Sequence, residues 1–284
     1  MVLIHLHRNI EITCGDLRRE MLHLVERIDD ALLKVKEVAE SGGEHREKNG
    51  SADDGDTAVP TCLLLAVIVV HQKLSDDHTI WLRRTSVERY ASQYGIALVM
   101  PNAHRSYYSD TAGGLRYWEY FSRELPDFIN ATFRFSRKRE DTYVAGLSMG
   151  GFGAMKLALN CPERFAAAGG FSSAIGPCEL VEHAPALQKE FDHMFGSLKS
   201  ISGSINDLFA VADEAVREKK ELPRLYLECG TEDFLWQENL RFKAHLEKRN
   251  IPFTWKERPG QHGWDFWDVS IQNFLRFAFG EPKV

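Results

Sequence analysis

Ala145-Gly146-Leu147-Ser148-Met149-Gly150-Gly151 is the stretch of sequence from which the fold can be inferred. It follows a β-branched and aromatic run, Asp141–Ala145, that predicts a strand, and it precedes Phe152–Leu159, whose apolar spacing predicts a helix. A G-x-S-x-G motif between a strand and a helix is typical of a sharp turn that presents a serine hydroxyl above a sheet. Gly146 and Gly150 are expected to leave room in that turn. Ser148 is therefore the candidate nucleophile, and the alternative is an inert serine in a glycine-rich turn.

Outside this motif, the composition is that of an ordinary globular protein, and one α/β domain is the default expectation for a chain of this length. With 284 residues, of which 44% are hydrophobic and 27% charged, the chain is long enough to bury a full core. A net charge of −6 argues against a nucleic-acid partner. The odd number of cysteines and the absence of C-x-x-C indicate a reducing compartment rather than a disulfide framework or a zinc site. The cysteines are Cys14, Cys62, Cys161, Cys178 and Cys229.

Segments that would direct the chain to a membrane are not evident in the sequence. Residues Met1–His7 lack a basic start followed by a long apolar stretch, so they predict no signal peptide. The longest apolar run, Cys62–Val70, is too short to span a bilayer. We therefore expect a cytoplasmic protein with no membrane partner.

The N-terminal region, residues 1–58, differs from the remainder, residues 59–284. Apolar residues at three- and four-residue steps predict an amphipathic helix over Asp16–Glu40. This helix either packs on the domain surface or serves as a dimerisation arm or a flap over the site. Ser41–Thr57 is polar and is interpreted as a linker. The acidic run Asp53–Asp56 lacks the remaining ligand spacing of a calcium loop and is interpreted as solvated linker.

From Cys62 onward, predicted strands and helices alternate along the chain. This alternation indicates a doubly wound, mostly parallel sheet, in which sites lie at the carboxyl ends of the strands. Residues 172–205 show no clear period and are interpreted as an insertion that could shape a pocket. The other predicted strands are Cys62–His71, Ile96–Met100, Arg164–Phe171, Arg224–Cys229 and Pro252–Glu257. The other predicted helices are Arg84–Gln93, Leu115–Asn130 with an interruption near Pro126, Ile205–Lys219, Leu235–Lys248 and Trp264–Phe279.

Two loops after the candidate nucleophile could supply an acid and a base. A serine needs a base to take its proton, and the base needs a partner that fixes its tautomer. In hydrolases built on such a sheet the order along the chain is serine, acid, histidine, with each residue on a loop after a strand. Asp233 and His262 stand in such loops and in this order. Glu232 is the alternative acid.

Several motifs resemble those of the esterase D family of α/β-hydrolases, and the bacterial tributyrin-type esterases are the most similar group. The resemblance extends from about Leu74 to the C-terminus. The similar stretches are Leu74–Arg89, Met100-Pro-Asn with Tyr107–Asp110, Gly146–Leu159, Cys229–Leu235 and Gly260–Trp267. This family also includes S-formylglutathione hydrolases, feruloyl esterases and acetylxylan esterases.

The resemblance implies the α/β-hydrolase fold, with an atypical helical N-terminal segment in this chain. It also implies a serine carboxylesterase that hydrolyses short-chain acyl esters through an acyl-enzyme, with Ser148, Asp233 and His262 as its catalytic triad. Small-molecule esters are then the expected partners, and no cofactor is expected. Family members usually carry His-Gly-Leu-Ser after the third strand, where this chain reads His71-Gln-Lys-Leu-Ser75. The expected oxyanion donors are therefore the Met149 amide and an amide of Lys73 or Leu74.

Weaker candidates for substrate binding are the aromatic residues Tyr107, Tyr108, Trp118 and Trp236, which more often belong to a core. The histidines outside the motifs show no metal-ligand spacing, so no metal site is expected. The family's N-terminal antiparallel strands are not recognisable before Pro60. Pairing with a second copy of the chain is one way to cover the resulting sheet edge.

Two alternative functions stay open at this point. The first is a thioesterase of the S-formylglutathione hydrolase kind, or an acyltransferase on the same scaffold. The second, of another class, is a hydrolase-like protein that no longer catalyses and serves binding or assembly. The altered His71–Ser75 loop favours this second alternative, and the three triad residues in their context argue against it.

Overall fold

Seven strands form one sheet in the computed structural model, which describes residues 3–6, 60–67 and 78–282. Their order across the sheet is β1-β3-β2-β4-β5-β6-β7, and each pairing between described strands is parallel. The doubly wound parallel α/β fold predicted from the sequence is thereby confirmed. The strands are β1 Leu3–Leu6, β2 Thr61–Val67, β3 Ala97–Pro101, β4 Thr142–Ser148, β5 Ala167–Phe171, β6 Arg224–Gly230 and β7 Phe253–Arg258.

Ten α-helical segments of the described chain connect or flank these strands. They are α1 Ile80–Arg84, α2 Val87–Tyr94, α3 Tyr117–Glu119, α4 Leu125–Thr132, α5 Met149–Asn160, α6 Pro177–His183, α7 Gln188–Phe195, α8 Leu208–Arg217, α9 Trp236–Lys248 and α10 Trp264–Phe279. No helix among them combines the length and apolar character that crossing a bilayer requires.

The sheet buries an apolar layer on each face. On one face α1, α2 and α10 contribute large buried side chains, among them Trp81 and Trp267. On the other face α4 to α9 pack together, with Phe152 and Phe242 among the buried rings. Strand β4 contributes side chains to both layers. Its largely apolar sequence is typical of a central parallel strand, which is buried on both faces.

Three features of the fold differ from the sequence prediction or add to it. The helix predicted over Leu115–Asn130 is realised as α3 and α4, and a π-helical turn at Tyr120–Glu124 joins them just before Pro126. The insertion at 172–205 contains α6 and α7, which the sequence did not predict. Strand β1 was also missed, and it pairs with β3 along Leu3–Leu6. The predicted helix Asp16–Glu40 and the linker after it lie outside the described residues.

Helix α5 is buried along almost its whole length and carries a buried lysine, Lys156. The Lys156 ammonium donates hydrogen bonds to the Tyr108 carbonyl at 2.7 Å, to Ser109 Oγ at 3.0 Å and to Asn206 Oδ1 at 2.6 Å. It also lies 4.7 Å from the centroid of the Trp118 ring. Lys156 therefore connects α5 to the loop after β3 and to the segment before α8.

Stability is expected to depend on pH through Lys156. Burial lowers the pKa of Lys156 from 10.5 to about 7, and the nearby Asp110 carboxylate offsets part of that effect. Between these two pH values the unfolded chain binds the proton more strongly than the folded chain does, so unfolding becomes less favourable as pH rises. The unfolding free energy of the wild type should therefore rise relative to that of Lys156→Met between pH 7 and 9. The upper limit is about 1.4 kcal/mol per pH unit. Urea titrations at several pH values would measure the difference, and a constant or falling difference would contradict the assignment.

Candidate active site

The candidate site lies where the parallel strands end. Ser148 is the last residue of β4, and its register partner Val67 is the last residue of β2. Gly230 ends β6 in register with Arg258, which ends β7. Because carboxyl ends of parallel strands share one edge of the sheet, the loops after β4, β6 and β7 meet there.

Ser148 occupies a strained backbone conformation between β4 and α5. Its φ is 54° and its ψ is −120°, a combination that a residue with a Cβ adopts only when the surrounding structure imposes it. The Ser148 carbonyl accepts a hydrogen bond from the Ala174 amide at 3.0 Å, which holds the turn against the chain after β5. Met149 is the first residue of α5, so its amide belongs to the helix N-terminal amides that have no partner within the helix. The turn therefore places a hydroxyl beside amides suited to a negative charge.

The structure brings Ser148, His262 and Asp233 into one hydrogen-bonded chain. His262 Nε2 lies 3.0 Å from Ser148 Oγ, and His262 Nδ1 lies 2.9 Å and 3.0 Å from the two Asp233 carboxylate oxygens. With Nδ1 donating to the carboxylate, Nε2 is left to accept the serine proton. The His262 side chain is 4% exposed, and Ser148 and Asp233 are buried, so these bonds are shielded from water. The arrangement can raise the nucleophilicity of a serine hydroxyl.

Asp233 is held in a tight turn between β6 and α9. Its amide donates to the Gly230 carbonyl at 3.1 Å, and its Oδ1 accepts from the Leu235 amide at 2.8 Å. The Trp236 amide in turn donates to the Asp233 carbonyl at 3.0 Å. These bonds fix the direction of the Asp233 side chain toward His262.

Glu232, the alternative acid, has a different position. Its carboxylate accepts a hydrogen bond from the Gly260 amide, and its own amide donates to the Gly260 carbonyl at 3.1 Å. The Gly260 amide is the largest cause that lowers the pKa of the Glu232 carboxyl below its usual value. Asp233 therefore contacts the histidine, and Glu232 joins the acid loop to the loop that carries His262.

Two aromatic rings that were not predicted as site residues contact the His262 imidazole. The Phe234 ring centroid lies 4.6 Å from that of His262, and the Trp267 ring meets the imidazole edge to face at 4.8 Å. The Trp267 indole N–H donates to Ser172 Oγ at 3.2 Å, which fixes the ring. The sequence offered one indication of these contacts: Phe234 follows the candidate acid directly, and Trp267 follows the candidate base by five positions.

A buried ion pair supports the loop that carries His262. Glu228 of β6 is buried, and its carboxylate accepts from Arg258 Nε at 2.9 Å and from the Tyr226 hydroxyl at 2.6 Å. The same guanidinium donates to the Phe266 carbonyl and to Ser270 Oγ. Arg258 therefore links the end of β7 to β6 and to the first turns of α10, on both sides of His262.

For the remaining predicted site residues, the structure shows no contact with the side chains of Ser148, His262 and Asp233 in the described part of the chain, or does not describe them. Tyr107 and Tyr108 are buried, at 1% and 0% exposure, and pack in the core against rings that include Phe152 and Phe121. Trp118 is partly buried under Lys156, and Trp236 stands at the start of α9 beside Trp255. These four stay predictions as substrate contacts, and the structure shows their packing. Lys73 and Leu74 lie outside the described residues, and no group of three or more candidate metal ligands occurs within the described part of the chain.

Gly230→Ala tests the contact between the two loops. A Cβ at Gly230 would lie 2.1 Å from the Gly260 carbonyl oxygen, whereas Cβ contacts below 3.0 Å essentially never occur, so the backbone that leads to His262 must move by about 1 Å. A displacement of that size can lower kcat about 100-fold. Steady-state kinetics on an ester, corrected by thermal unfolding for the folded fraction, would measure the loss.

Gly169→Ala is the control for this prediction. Its Cβ would lie 2.6 Å from the Phe274 ring in the core, so it introduces a comparable clash away from the loops. We expect it to lower stability more than kcat. Equal kcat losses in both variants would contradict a specific role for the loop contact.

Known proteins of similar sequence and structure identify the family of this chain. The Esterase family model matches residues 67–278. An acetyl esterase of Caldicellulosiruptor saccharolyticus is 32% identical over 200 residues, which cover 68% of this chain and 75% of that protein. The substrate-bound structure of FphF, a fluorophosphonate-binding serine hydrolase of Staphylococcus aureus, superposes with a TM-score of 0.70 at 34% identity, covering 79% of this chain and 85% of that one. The apoenzyme of S-formylglutathione hydrolase (FrmB) from the same organism gives 0.68 at 34% identity, covering 78% and 84%.

The family model covers most of the chain, and two solved structures are more than 30% identical to it. These similarities were found without reference to the geometry of the site. The chain therefore belongs to the Esterase family, an esterase D-like group of α/β-hydrolases, and is a carboxylic ester hydrolase.

Proposed function

We propose that this protein is a serine esterase that hydrolyses short-chain acyl esters through an acyl-enzyme, with Ser148, His262 and Asp233 as its catalytic triad. The observation that carries the proposal is the continuous hydrogen-bonded chain from the Asp233 carboxylate through His262 to Ser148 Oγ. The similarity to an acetyl esterase supports the preference for short acyl groups.

In the acylation step, His262 Nε2 takes the proton of Ser148 Oγ while the oxygen attacks the ester carbonyl carbon. The carbonyl oxygen becomes an oxyanion, for which the Met149 amide is the proposed donor from α5, with a second amide from Lys73 or Leu74. Asp233 stabilises the imidazolium that has formed. His262 then returns the proton to the leaving alcohol oxygen, the C–O bond breaks, and the acyl group stays on Ser148.

Deacylation repeats the same chemistry with water. His262 takes a proton from water, hydroxide attacks the acyl carbon, and the proton returns to Ser148 Oγ as the carboxylic acid leaves. Burial raises the pKa of the Cys229 thiol, and it raises that of Cys161 as well. Neither thiol is therefore a rival nucleophile at neutral pH.

Hydrolysis of p-nitrophenyl acetate, butyrate and octanoate by the purified chain tests the proposal. We expect kcat/KM to be higher for acetate and butyrate than for octanoate. Equal or increasing values toward octanoate would contradict the preference for short acyl groups, and no turnover of any ester would contradict the esterase activity.

A thioesterase of the S-formylglutathione hydrolase kind is the second candidate, favoured by the 34% identity to FrmB over 78% of the chain. The same triad would release a thiol in place of an alcohol. Turnover of S-formylglutathione beside ethyl formate, which carries the same acyl group, would separate the two functions. A much larger kcat/KM for the thioester would make this second candidate the correct one.

A further inference from the structure

Phe234 stands out among the large apolar side chains of the described chain because it is 55% exposed and contacts His262. Its two neighbours are buried, Asp233 at 4% and Leu235 at 3% exposure, so Phe234 alone of the three faces solvent. A single exposed apolar residue is common on protein surfaces and needs no function. An exposed ring that contacts the proposed catalytic base, however, is in a position to contact a bound substrate.

The position of the Phe234 ring follows from a fixed backbone. The residue lies inside the turn whose hydrogen bonds run from the Asp233 amide to Gly230 and from the Leu235 and Trp236 amides back to Asp233. The main chain on both sides of Phe234 is therefore restrained. An apolar ring held in place in this way can bind a ligand without the entropy cost of ordering a mobile loop.

The two rings against His262 have opposite environments. Trp267 is fully buried and bonded to Ser172, whereas Phe234 is largely exposed. The leaving alcohol must take its proton from His262 Nε2, so it stands next to the imidazole when the ester bond breaks. Of the two rings, Phe234 is the one open to solvent, so it is the ring that the alcohol portion of an ester can contact.

We propose that Phe234 binds the alcohol portion of the substrate and makes the enzyme selective for esters of apolar alcohols, with an alkyl chain or an aromatic ring on the leaving oxygen. This inference rests on the proposed triad and assigns the leaving-group side of that same site. An alcohol that covers the exposed face of Phe234 removes apolar surface from water on both partners, which favours the transition state as long as the leaving group is still bound.

The test uses acetate esters of ethanol, butanol and hexanol, which share one acyl group and have leaving groups of similar acidity. In the wild type, we expect kcat/KM for hexyl acetate to exceed that for ethyl acetate by about tenfold, since each apolar contact contributes a modest factor. In Phe234→Ala the hexyl to ethyl ratio should fall close to one, and Phe234→Leu should keep an intermediate ratio. Release of acetic acid at constant pH measures all three esters in the same way.

Val216→Ala is the matched control. Val216 is 42% exposed near the end of α8, which leads to the amino end of β6 and so to the edge of the sheet opposite Ser148. This variant should keep the wild-type ratio. A ratio that falls equally in Val216→Ala would overturn the assignment to Phe234.

Two further outcomes separate this proposal from the function on which it rests. If Phe234→Ala lowers kcat/KM for all three esters by one common factor, Phe234 only supports the imidazole, and the assignment to the leaving group is wrong. If the wild type hydrolyses none of the three esters and is not labelled by a fluorophosphonate, the proposed esterase function fails and this inference fails with it.

Discussion

Replacing Ser148 with alanine is expected to lower kcat for p-nitrophenyl acetate and butyrate by at least about 10⁴-fold. The variant lacks the oxygen that forms the acyl-enzyme, and His262 then has no proton to take from residue 148. Alanine has the Cβ of serine, so the turn at φ 54° carries no additional strain and the fold should be kept. Steady-state turnover measures the loss of kcat. Labelling with a fluorophosphonate probe, followed by mass spectrometry of the labelled peptide, shows whether residue 148 is the nucleophile.

Ser173→Ala is the matched control, because Ser173 is a buried serine close to α5 whose hydroxyl has no hydrogen-bond partner among the described residues. It should keep kcat within a few-fold of the wild type. Wild-type protein that is labelled at Ser148 but does not turn over esters would locate the fault in the proposed oxyanion donors, among them the amide of Lys73 or Leu74. Neither labelling nor turnover would contradict the serine nucleophile and favour a binding role.

The three proposed catalytic residues could be predicted because each depends on local sequence and chain order. The G-x-S-x-G turn needs small residues at fixed positions, and Asp233 and His262 each follow a buried strand whose apolar run is visible in the sequence. Parallel pairing then brings the ends of those strands to one edge. The proximity of Ser148 and His262, which are 114 residues apart in the chain, follows from this topology.

The support around these residues could not be predicted, because it depends on tertiary packing. Glu232 and Asp233 are adjacent in the sequence, and only the turn from Gly230 to Trp236 decides which of the two carboxylates contacts His262. In the same way Trp236 was a candidate, whereas Phe234, two residues earlier, contacts the imidazole. Sequence spacing gives no direction for a side chain in a loop, since no regular period applies there.

The missed elements have a similar explanation. Helices α6 and α7 are short, and α7 becomes stable by packing Phe191 and Phe195 against Tyr107, a residue more than 80 positions away. Strand β1 has four residues, and its partner β3 follows more than 90 positions later in the chain, so the pairing leaves no local signal. Short elements of this kind have too few residues for a periodic signal.

Asp233→Asn is expected to lower kcat by about 10⁴-fold, nearly as much as loss of the nucleophile. Asparagine can place its amide N–H toward His262 Nδ1, which favours the tautomer that carries its proton on Nε2. That nitrogen then donates toward Ser148 and cannot accept the serine proton. The imidazolium that forms during the reaction also loses its neighbouring negative charge. Turnover numbers between pH 6 and 9 measure the effect, which pH should not restore because asparagine does not ionise.

Glu232→Gln decides between the two adjacent carboxylates. Glutamine keeps an oxygen that can accept from the Gly260 amide, the bond that joins the two loops. If Glu232 only holds the His262 loop, kcat should fall by no more than about tenfold, since one hydrogen bond to a charged group is exchanged for one to a neutral group. A loss equal to or larger than that of Asp233→Asn would make Glu232 the acid of the triad and overturn the assignment of Asp233. A small loss of kcat in Glu232→Gln together with a large loss in Asp233→Asn would identify Asp233, whose carboxylate lies 2.9 Å from His262 Nδ1, as the residue that orients the base.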